Sequence, residues 1–363
     1  MVVSTPMQST ARRAGSLRRR IFAAAMPAIL TCFMLIAARH AVGGLREGGP
    51  ALPAPRIVKS EESVRMQAMK EKAQELFAKR DFAQLEELAE RSRQDPKVFA
   101  SGTCAIVVFY RAFHERPNTT SDHEWQKEIE GLQDWIAAKP ESVTARVALA
   151  SVWVVYAWAA RGNGYGEKHP ELMMERLEKA HSVLDEARRL GPKCPGWYFQ
   201  AENVALGEGW GRKEVDEVFE EGRKLYPDVL EISLARSYYL QQRWYGNPGE
   251  WEAFVTKSAD QVGGEEGDIL YARLLWYLDS KSDNVFGDGD IPWERVKRSF
   301  RVLLKRYPES LNALGAFARL ACHAQDWATA RQTFEQIGDR VELKTWKNKA
   351  EFLAFRNEAY RKR

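Results

Sequence analysis

Most of the chain repeats apolar residues at the spacing of amphipathic α-helices. Between residues 70 and 93, the apolar positions form two i, i+3, i+4 series on either side of the polar pair Arg80-Asp81, which predicts two helices joined at that pair. The two series are Ala73, Leu76 and Phe77, followed by Phe82, Leu85, Leu88 and Ala89. No segment shows the sustained alternation of apolar and polar residues that strands require. We therefore predict an all-α fold with little or no sheet.

Prolines divide this helical pattern into units of similar length. Apolar helical stretches end and restart at five prolines separated by 44, 52, 35 and 81 residues, namely Pro96, Pro140, Pro192, Pro227 and Pro308. Proline starts a helix well because its φ is fixed and the first turn needs no N–H donor. The longest interval equals two units, with a glycine-rich stretch at residues 263–267 near its midpoint. Units of about 34 to 47 residues with two helices each are typical of helical solenoids.

The residues within a unit resemble those of tetratricopeptide repeats. In residues 301–337, small residues fall where one helix must approach its neighbour, and the second helix carries a further small residue and an aromatic one. These residues are Gly315, Ala318, Ala321, Ala330 and Phe334. A single hairpin cannot bury its apolar face alone, so neighbouring hairpins stack into one core. We predict a tetratricopeptide-like helical-hairpin solenoid over residues 60–363, with about six or seven hairpins and a closing helix near residues 343–361.

One apolar stretch, residues 143–160, is nearly long enough to be a second membrane span. It contains Arg146 and Ser151, and its unbroken apolar part is shorter than the roughly 20 residues that a span needs. A helix that is apolar on all sides also occurs in the core of large helical proteins. We therefore predict that this stretch is a core helix.

The first 59 residues have a different composition from the rest of the chain. Residues 1–46 contain seven arginines and no acidic residue, which leaves 47 basic and 50 acidic residues in the remainder. We divide this region into a basic head (residues 1–20), an apolar segment (21–38) and a glycine- and proline-rich flexible linker (39–59). An apolar helix of 18 residues is about 27 Å long, enough to span a thin bilayer. Arginines before the segment favour a cytoplasmic N-terminus and a body outside the cytoplasm.

Two interpretations of the apolar segment remain open. A cleaved signal peptide needs a short apolar core and small residues before the cleavage site. Here the third residue counted back from a cut after Ala38 is Ile36 and not a small residue, which favours a retained transmembrane anchor. We expect a single-pass membrane protein with a periplasmic body, or alternatively a protein secreted to the periplasm after cleavage.

Several stretches resemble an uncharacterised bacterial family of tetratricopeptide-like domains that carries an Arg-Trp-x-Gly motif. They are residues 162–165 (GNGY), 238–246 (YYLQQRWYG), 267–273 (GDILYAR) and 312–338. The resemblance covers residues 160–338, about half of the chain. It implies a helical-repeat fold and a bacterial origin. It implies no activity, because none is established for that family.

The sequence carries few patterns that are typical of catalysis or metal binding. The six histidines show no H-x-x-x-H spacing, and neither a G-x-S-x-G elbow nor a glycine-rich loop ending in Lys-Ser/Thr is present. Four widely spaced cysteines, Cys32, Cys104, Cys194 and Cys322, favour neither a zinc site nor a disulfide framework, although one long-range disulfide stays open. We expect no catalytic residue, no metal and no cofactor. Nucleic-acid binding is not expected either, because the body lacks clustered Lys and Arg.

Residues 283–294 (DNVFGDGDIPWE) have the length of a calcium-binding EF-hand loop. Such a loop needs oxygen ligands at positions 3 and 5 and glycine at position 6. Val285, Gly287 and Asp288 occupy those positions. We therefore predict a polar loop in which Asp290 caps the helix that Pro292 opens.

The strongest candidate for a binding surface is an aromatic cluster around residues 246–249 (GNPG). Arg243, Trp244, Tyr245 and Trp251 flank this turn, and Trp and Arg are common at the energetic centres of interfaces. Two interpretations are open, because the same aromatic residues can instead fill the core at an enlarged turn. Asn163 and Tyr165 form a second, weaker candidate of the same kind.

We expect a membrane-anchored, non-enzymatic scaffold of the cell envelope whose concave surface binds an unknown protein or peptide partner. The alternative is a module that binds a small molecule or glycan through a tryptophan-rich surface, since all twelve tryptophans lie between Trp125 and Trp346. An enzyme without a recognisable motif is a remote third possibility.

Overall fold

The structure is a computed structural model that describes residues 52–94, 99–115, 120–162, 169–191, 194–282 and 284–362. The predicted basic head, the apolar segment 21–38 and most of the predicted linker lie outside the described residues. Asn163 and Tyr165 also lie outside them. From Pro53 onward, the described residues belong to one structural unit.

This unit is almost entirely helical, which confirms the predicted all-α fold. Its described helices are α1 (Glu61–Ala78), α2 (Phe82–Gln94), α3 (Ala105–His114), α4 (Asp122–Ala138), α5 (Val143–Arg161), α6 (Pro170–Arg189), α7 (Pro195–Glu208), α8 (Arg212–Leu225), α9 (Leu230–Tyr239), α10 (Glu250–Val262), α11 (Gly264–Ser280), α12 (Val285–Asp288), α13 (Trp293–Arg306), α14 (Leu311–His323), α15 (Trp327–Ile337) and α16 (Lys349–Arg361). A 3-10 turn at Leu343–Thr345 precedes α16, and two short strands, β1 (Arg56–Ile57) and β2 (Arg340–Val341), pair in parallel. The predicted junction at Arg80-Asp81 separates α1 from α2.

Many helices begin at residues that satisfy their first backbone N–H groups. The hydroxyl oxygens of Ser60, Ser142 and Ser310 each accept a hydrogen bond from the backbone N–H three residues further on. Pro170 and Pro195 occupy the first turn of α6 and α7, where no N–H donor is required. Local sequence therefore fixes where these helices start.

The predicted start of α13 is wrong in one detail. Asp290 does not cap the helix, because Pro292 is the residue that precedes its first turn and no side chain caps it. The predicted polar loop also contains the short helix α12, whose first turn is capped by the Asn284 side chain. Val285 at the start of α12 is fully buried, so apolar burial shapes this segment more than its acidic residues do.

Without the short α12, the described helices between residues 61 and 337 can be grouped in chain order into seven pairs, each with a first and a second helix. The first helices are α1, α3, α5, α7, α9, α11 and α14, and the second helices are α2, α4, α6, α8, α10, α13 and α15. Each first helix packs against the first helix of the next pair. Apart from α1, which ends the row and buries three of its 18 residues, first helices are buried on several sides, as in α3 with eight of ten residues buried. Second helices such as α8 bury one stripe, with four of fourteen residues buried, and present the other face to solvent.

Among the described residues, α5 is the one helix long and apolar enough to cross a membrane, and 78% of its most apolar 18-residue window is buried inside the protein. It packs against α3, α4, α6 and α7. The prediction of a core helix over residues 143–160 is confirmed by this burial.

The two ends of the described unit are in contact. Val58 N donates to Val341 O at 2.9 Å next to the β1–β2 pairing, and Arg356 Nη1 donates to Pro53 O at 2.9 Å. Residues 53–58 lie in the segment predicted as a flexible linker, yet they are hydrogen-bonded to the C-terminal end. Such contacts between residues nearly 300 positions apart require the row of helix pairs to curve back on itself.

A third contact between distant residues, in the middle of the chain, indicates the same curvature. Arg273 of α11 donates from Nε to Ala100 O at 3.0 Å and from Nη2 to Phe99 O at 3.1 Å. The segment before α3 and the helix α11 are therefore neighbours in space, although 173 residues separate them in the chain.

Candidate functional site

Four aromatic side chains form a continuous strip across three first helices. Trp158 of α5 contacts Trp244 at a ring-centroid distance of 5.7 Å, Trp244 contacts Tyr238 of α9 at 5.8 Å, and Tyr238 contacts Tyr277 of α11 at 6.3 Å. We call these four residues the aromatic strip. All four are partly accessible to solvent. Edge-to-face and tilted pairs of this kind are each worth about 0.5 to 1.5 kcal/mol beyond their buried area.

Three cations lie over the rings of this strip. The Arg161 guanidinium is 5.7 Å from the Trp158 centroid and 5.2 Å from that of Trp244. The Arg243 guanidinium is 5.0 Å from the Tyr238 centroid, and Lys281 Nζ is 5.5 Å from that of Tyr277. Cations at these distances are attracted by the negative face of the ring. The strip therefore presents positive charge along its length.

These cations make no ion pair with a carboxylate in the described part of the chain. Arg161 Nη1 donates to a neutral oxygen, Gly162 O, at 3.5 Å. Arg243 donates to Gln241 Oε1 at 2.9 Å and to Lys281 O at 3.0 Å, both neutral oxygens. Most of the other arginines that the structure describes, by contrast, lie within salt-bridge distance of Asp or Glu. The positive charge of the strip is thus left available to a binding partner.

Lys281 lies where this charge is most concentrated. Desolvation by the surrounding protein lowers the pKa of its ammonium, and the nearby charges of Arg111 and Arg243 lower it further. The side chain nevertheless remains exposed to water. Protein atoms therefore surround an ammonium that water still reaches. We call Arg111, Arg243 and Lys281, together with Tyr238 and Tyr277, the cationic recess.

Two buried acids lie close to the recess without neutralising it. Glu202 is 2% exposed, and neither of its carboxyl oxygens has a hydrogen-bond partner among the described residues. Burial raises its pKa well above the usual value, and the nearby Arg236 only partly opposes this shift. Burial likewise raises the pKa of Glu231, against the lowering effect of Arg111. Both acids are therefore biased toward their neutral forms.

The structure separates the four residues predicted around the 246–249 turn. Arg243 lies in the recess and Trp244 in the strip. Tyr245 is 42% exposed, but its ring stacks on Tyr239 at 5.0 Å and its hydroxyl donates to the Leu206 carbonyl at 3.2 Å. Trp251 is 2% exposed and belongs to the core, so it offers no surface to a partner.

The glycine of the Arg-Trp-x-Gly motif has a structural reason. A Cβ at Gly246 would lie 1.6 Å from the Leu240 carbonyl oxygen, so only glycine fits where the chain folds back on the end of α9. The same turn is closed by hydrogen bonds from Trp244 N to Gln241 O at 2.8 Å and from Tyr245 N to Tyr239 O at 3.2 Å. The motif therefore holds Arg243 and Trp244 at the strip.

The sequence analysis missed more than half of the candidate site. It did not single out Arg111, Trp158, Arg161, Tyr277 or Lys281. All five lie in or just after the last turns of first helices. An alignment of the helix ends from successive pairs would have shown aromatic and basic residues recurring there.

The described residues contain no group of three or more His, Cys, Asp and Glu side chains that could hold a metal ion. Cys104, Cys194 and Cys322 are free and buried. Burial raises the pKa of Cys104 and of Cys322 to about 12, so these two thiols are unreactive.

No protein-family model matches the chain, and no curated protein matches it. The function is therefore argued from the geometry of the strip and the recess.

Proposed function

We propose that the chain is a non-enzymatic interaction scaffold of the cell envelope that binds an acidic segment of a partner protein. The observation that carries this proposal is the row of unpaired cations over the aromatic strip. Four aromatic rings supply contact area, and aromatic and arginine side chains dominate the binding energy of many interfaces. Acidic side chains of the partner would supply carboxylates that pair with these cations.

The proposed architecture is a tetratricopeptide-like α-solenoid. It is supported by the seven consecutive helix pairs and by the packing of each first helix against the next. Stacked helical repeats form extended concave surfaces that bind protein segments. The resemblance of residues 160–338 to a bacterial tetratricopeptide-like family, which rests on the Arg-Trp-x-Gly motif, agrees with this architecture.

Charge complementarity favours an acidic partner over a neutral one. The chain after Arg46 carries 47 basic and 50 acidic residues, so its body is not basic as a whole. A local concentration of unpaired cations on such a body steers a negatively charged segment toward one place. The strip spans α5, α9 and α11, which fits an extended segment better than a compact molecule.

We further propose that residues 21–38 anchor the protein in the membrane, with the helical body in the periplasm. The support is the apolar composition of the segment and the arginines before it. Release of the body after signal cleavage is the alternative. In either case the body would meet partners outside the cytoplasm.

A second candidate function is the binding of a small molecule or an acidic glycan. The desolvation of Lys281 favours it, because a place from which water is partly excluded suits a compact ligand. Catalysis has less support. The lowered pKa of Lys281 is explained by burial and like charges, and no described acid or base is hydrogen-bonded to its ammonium.

The test is affinity capture of the full-length protein from native membranes after mild crosslinking, followed by mass spectrometry. The double variant Arg243→Glu/Lys281→Glu reverses charge in the recess. Its matched control, Lys213→Glu/Lys305→Glu, makes the same charge change on second helices, where these side chains are 92% and 78% exposed.

We expect the wild type and the control to capture the same partner, with crosslinks to an acid-rich segment, and the recess variant to lose it. Equal capture by all three proteins would overturn the proposal, as would repeated failure to capture any partner. Trp244→Ala is a poorer test, because Trp244 packs against Trp158 and Tyr238 and its loss would also reduce stability.

A further inference from the structure

The recess gathers three cations from three separate segments. Arg243 follows α9, Lys281 follows α11, and Arg111 lies in the last turn of α3. Arg243 Nη2 donates to Lys281 O at 3.0 Å, which holds the guanidinium beside the end of α11. Arg111 is close enough to act electrostatically on Lys281 and Tyr277. Two arginines from separate segments therefore act on the desolvated ammonium of Lys281.

Such a cluster is unfavourable unless something neutralises it. Like charges repel more strongly where water is partly excluded, and no described carboxylate pairs with any of the three. Lys344 provides a contrast, because Arg111 also acts on it but Glu115, Glu62 and Glu342 act in the opposite direction. Arg111 itself acts on Glu115 and on the buried Glu231. The groups that act on Lys281 are two arginines and no acid, so an external anion would supply the compensation that Lys281 lacks.

The number of charges selects the kind of anion. One carboxylate brings a single negative charge and two oxygens. A phosphate monoester carries about −1.5 to −2 charges near neutral pH and three acceptor oxygens. Two arginine forks and one lysine ammonium offer donors for all three oxygens. The count of cations thus fits a phosphate better than a carboxylate.

The surroundings do not oppose such a ligand. The buried Glu202 acts electrostatically on Tyr277. Burial raises the pKa of Glu202 and so favours its neutral form. Tyr277 and Tyr238 flank the cations with rings 6.3 Å apart. Their faces can pack against the group that carries the phosphate.

We propose that Arg111, Arg243 and Lys281 form a binding site for a phosphate monoester, carried by a phosphorylated side chain of the bound protein segment. The identity of the carrier rests on the proposed scaffold function. The site itself does not, because a phosphate group can be offered without any partner protein.

The experiment uses the full chain solubilised in a mild detergent and free of phosphate. Methyl phosphate is titrated by calorimetry at constant ionic strength, with acetate as the comparison anion. The variants are Lys281→Gln and Arg243→Gln, and the control is Lys213→Gln, which removes an exposed lysine from α8. We expect methyl phosphate to bind the wild type and the control at least about tenfold more tightly than either recess variant, a difference of about 1.4 kcal/mol.

A second readout is the rate at which an amine-directed reagent labels Lys281, followed by peptide mass spectrometry. Methyl phosphate should protect Lys281 while leaving Lys213 labelled at its usual rate. The proposal is overturned if acetate binds as well as methyl phosphate, if the recess variants bind as tightly as the control, or if Lys281 is not protected.

A phosphoserine peptide and its unphosphorylated form identify the carrier. Tighter binding of the phosphopeptide than of methyl phosphate supports a phosphorylated protein segment. Equal affinity supports the phosphate site but assigns it to a free phosphate ester. Phosphate binding without any captured protein partner would leave the site standing and overturn the scaffold function, so the two failures are distinguishable.

Discussion

Asp279 and Lys281, two charged residues at the end of α11, differ in their burial and in their ion pairing. The Asp279 carboxylate is buried and paired, with Arg319 Nε at 3.2 Å and His323 Nδ1 at 3.0 Å. Two residues later, Lys281 is water-accessible and pairs with no described carboxylate. The first group joins α11 to α14 and the second faces the recess. We call a charge balanced when an opposite charge lies beside it and unbalanced when none does. We infer that buried, balanced charges hold the fold together here, whereas accessible, unbalanced charges are left for a ligand.

The largest expected effect comes from breaking the balanced group. Asp279→Ala leaves the guanidinium of Arg319, whose side chain is 6% exposed, buried without a counter-charge. Removal of one partner from a buried pair typically costs about 3 to 5 kcal/mol. Urea unfolding of the variant should show a loss of this size in the free energy of unfolding.

The control for this variant is Asp134→Ala, which breaks an exposed ion pair with Arg80. Exposed pairs contribute about 0 to 1 kcal/mol. If Asp279→Ala were no more destabilising than the control, the distinction between the two kinds of charge would fail.

Asp326 extends the comparison to the next helix pair. Its carboxylate caps α15 by accepting from Thr329 N at 3.0 Å, and it also accepts from Trp293 Nε1 at 2.9 Å and from Lys297 Nζ at 3.3 Å. Burial alone would raise its pKa, but these hydrogen bonds outweigh burial and lower the pKa to about 2. We expect Asp326→Ala to cost about 2 kcal/mol, since loss of a cap costs about 0.5 to 2 kcal/mol and charged hydrogen bonds add to it.

The pH dependence of this effect has a defined sign. The folded pKa of Asp326 is lower than the unfolded value, so its stabilisation is complete above pH 3.8 and is lost as the pH falls toward 2. The difference in unfolding free energy between the wild type and Asp326→Asn should therefore shrink across this range. A difference that stays constant would contradict the lowered pKa.

The sequence predicts the helices well, because each carries its own pattern. The start of α2 after Arg80-Asp81 follows from local periodicity alone. The pairing of Arg56 and Ile57 with β2 does not, since two residues show no alternation and their partners lie nearly 300 residues away. That contact exists only because the row of helix pairs curves.

The candidate site is less predictable for the same reason. Arg243 and Trp244 stand out because they lie beside a turn that requires Gly246. Arg111 and Lys281 are 170 positions apart in the chain, and neither belongs to a local motif. Their proximity depends on how far successive pairs rotate, which hydrophobic periodicity does not specify.

Removal of the Lys281 charge should not destabilise the protein as removal of the Asp279 charge does. Lys281→Gln deletes a desolvated charge that Arg111 and Arg243 repel, so stability should stay within about 0.5 kcal/mol of the wild type or rise slightly. Urea unfolding and methyl phosphate binding are measured on the same preparation. A stability loss as large as that of Asp279→Ala would assign Lys281 to the fold rather than to a binding site.

A small effect is also expected at His181, which is paired like Asp279 but partly exposed. Its Nδ1 lies 2.9 Å from Glu208 Oε2, and this hydrogen bond raises the pKa of the imidazole although burial opposes the shift. The stabilisation is therefore complete below pH 6.5 and is lost as the pH rises through the higher folded pKa. Solvent screening limits it to less than about 1 kcal/mol. The measurement compares unfolding free energies of the wild type and His181→Gln at pH 6 and 8.5, with the imidazole pKa followed by NMR. A folded pKa below 6.5 would contradict this prediction. It would mean that the hydrogen bond to Glu208 does not stabilise the charged imidazole at this partly exposed position.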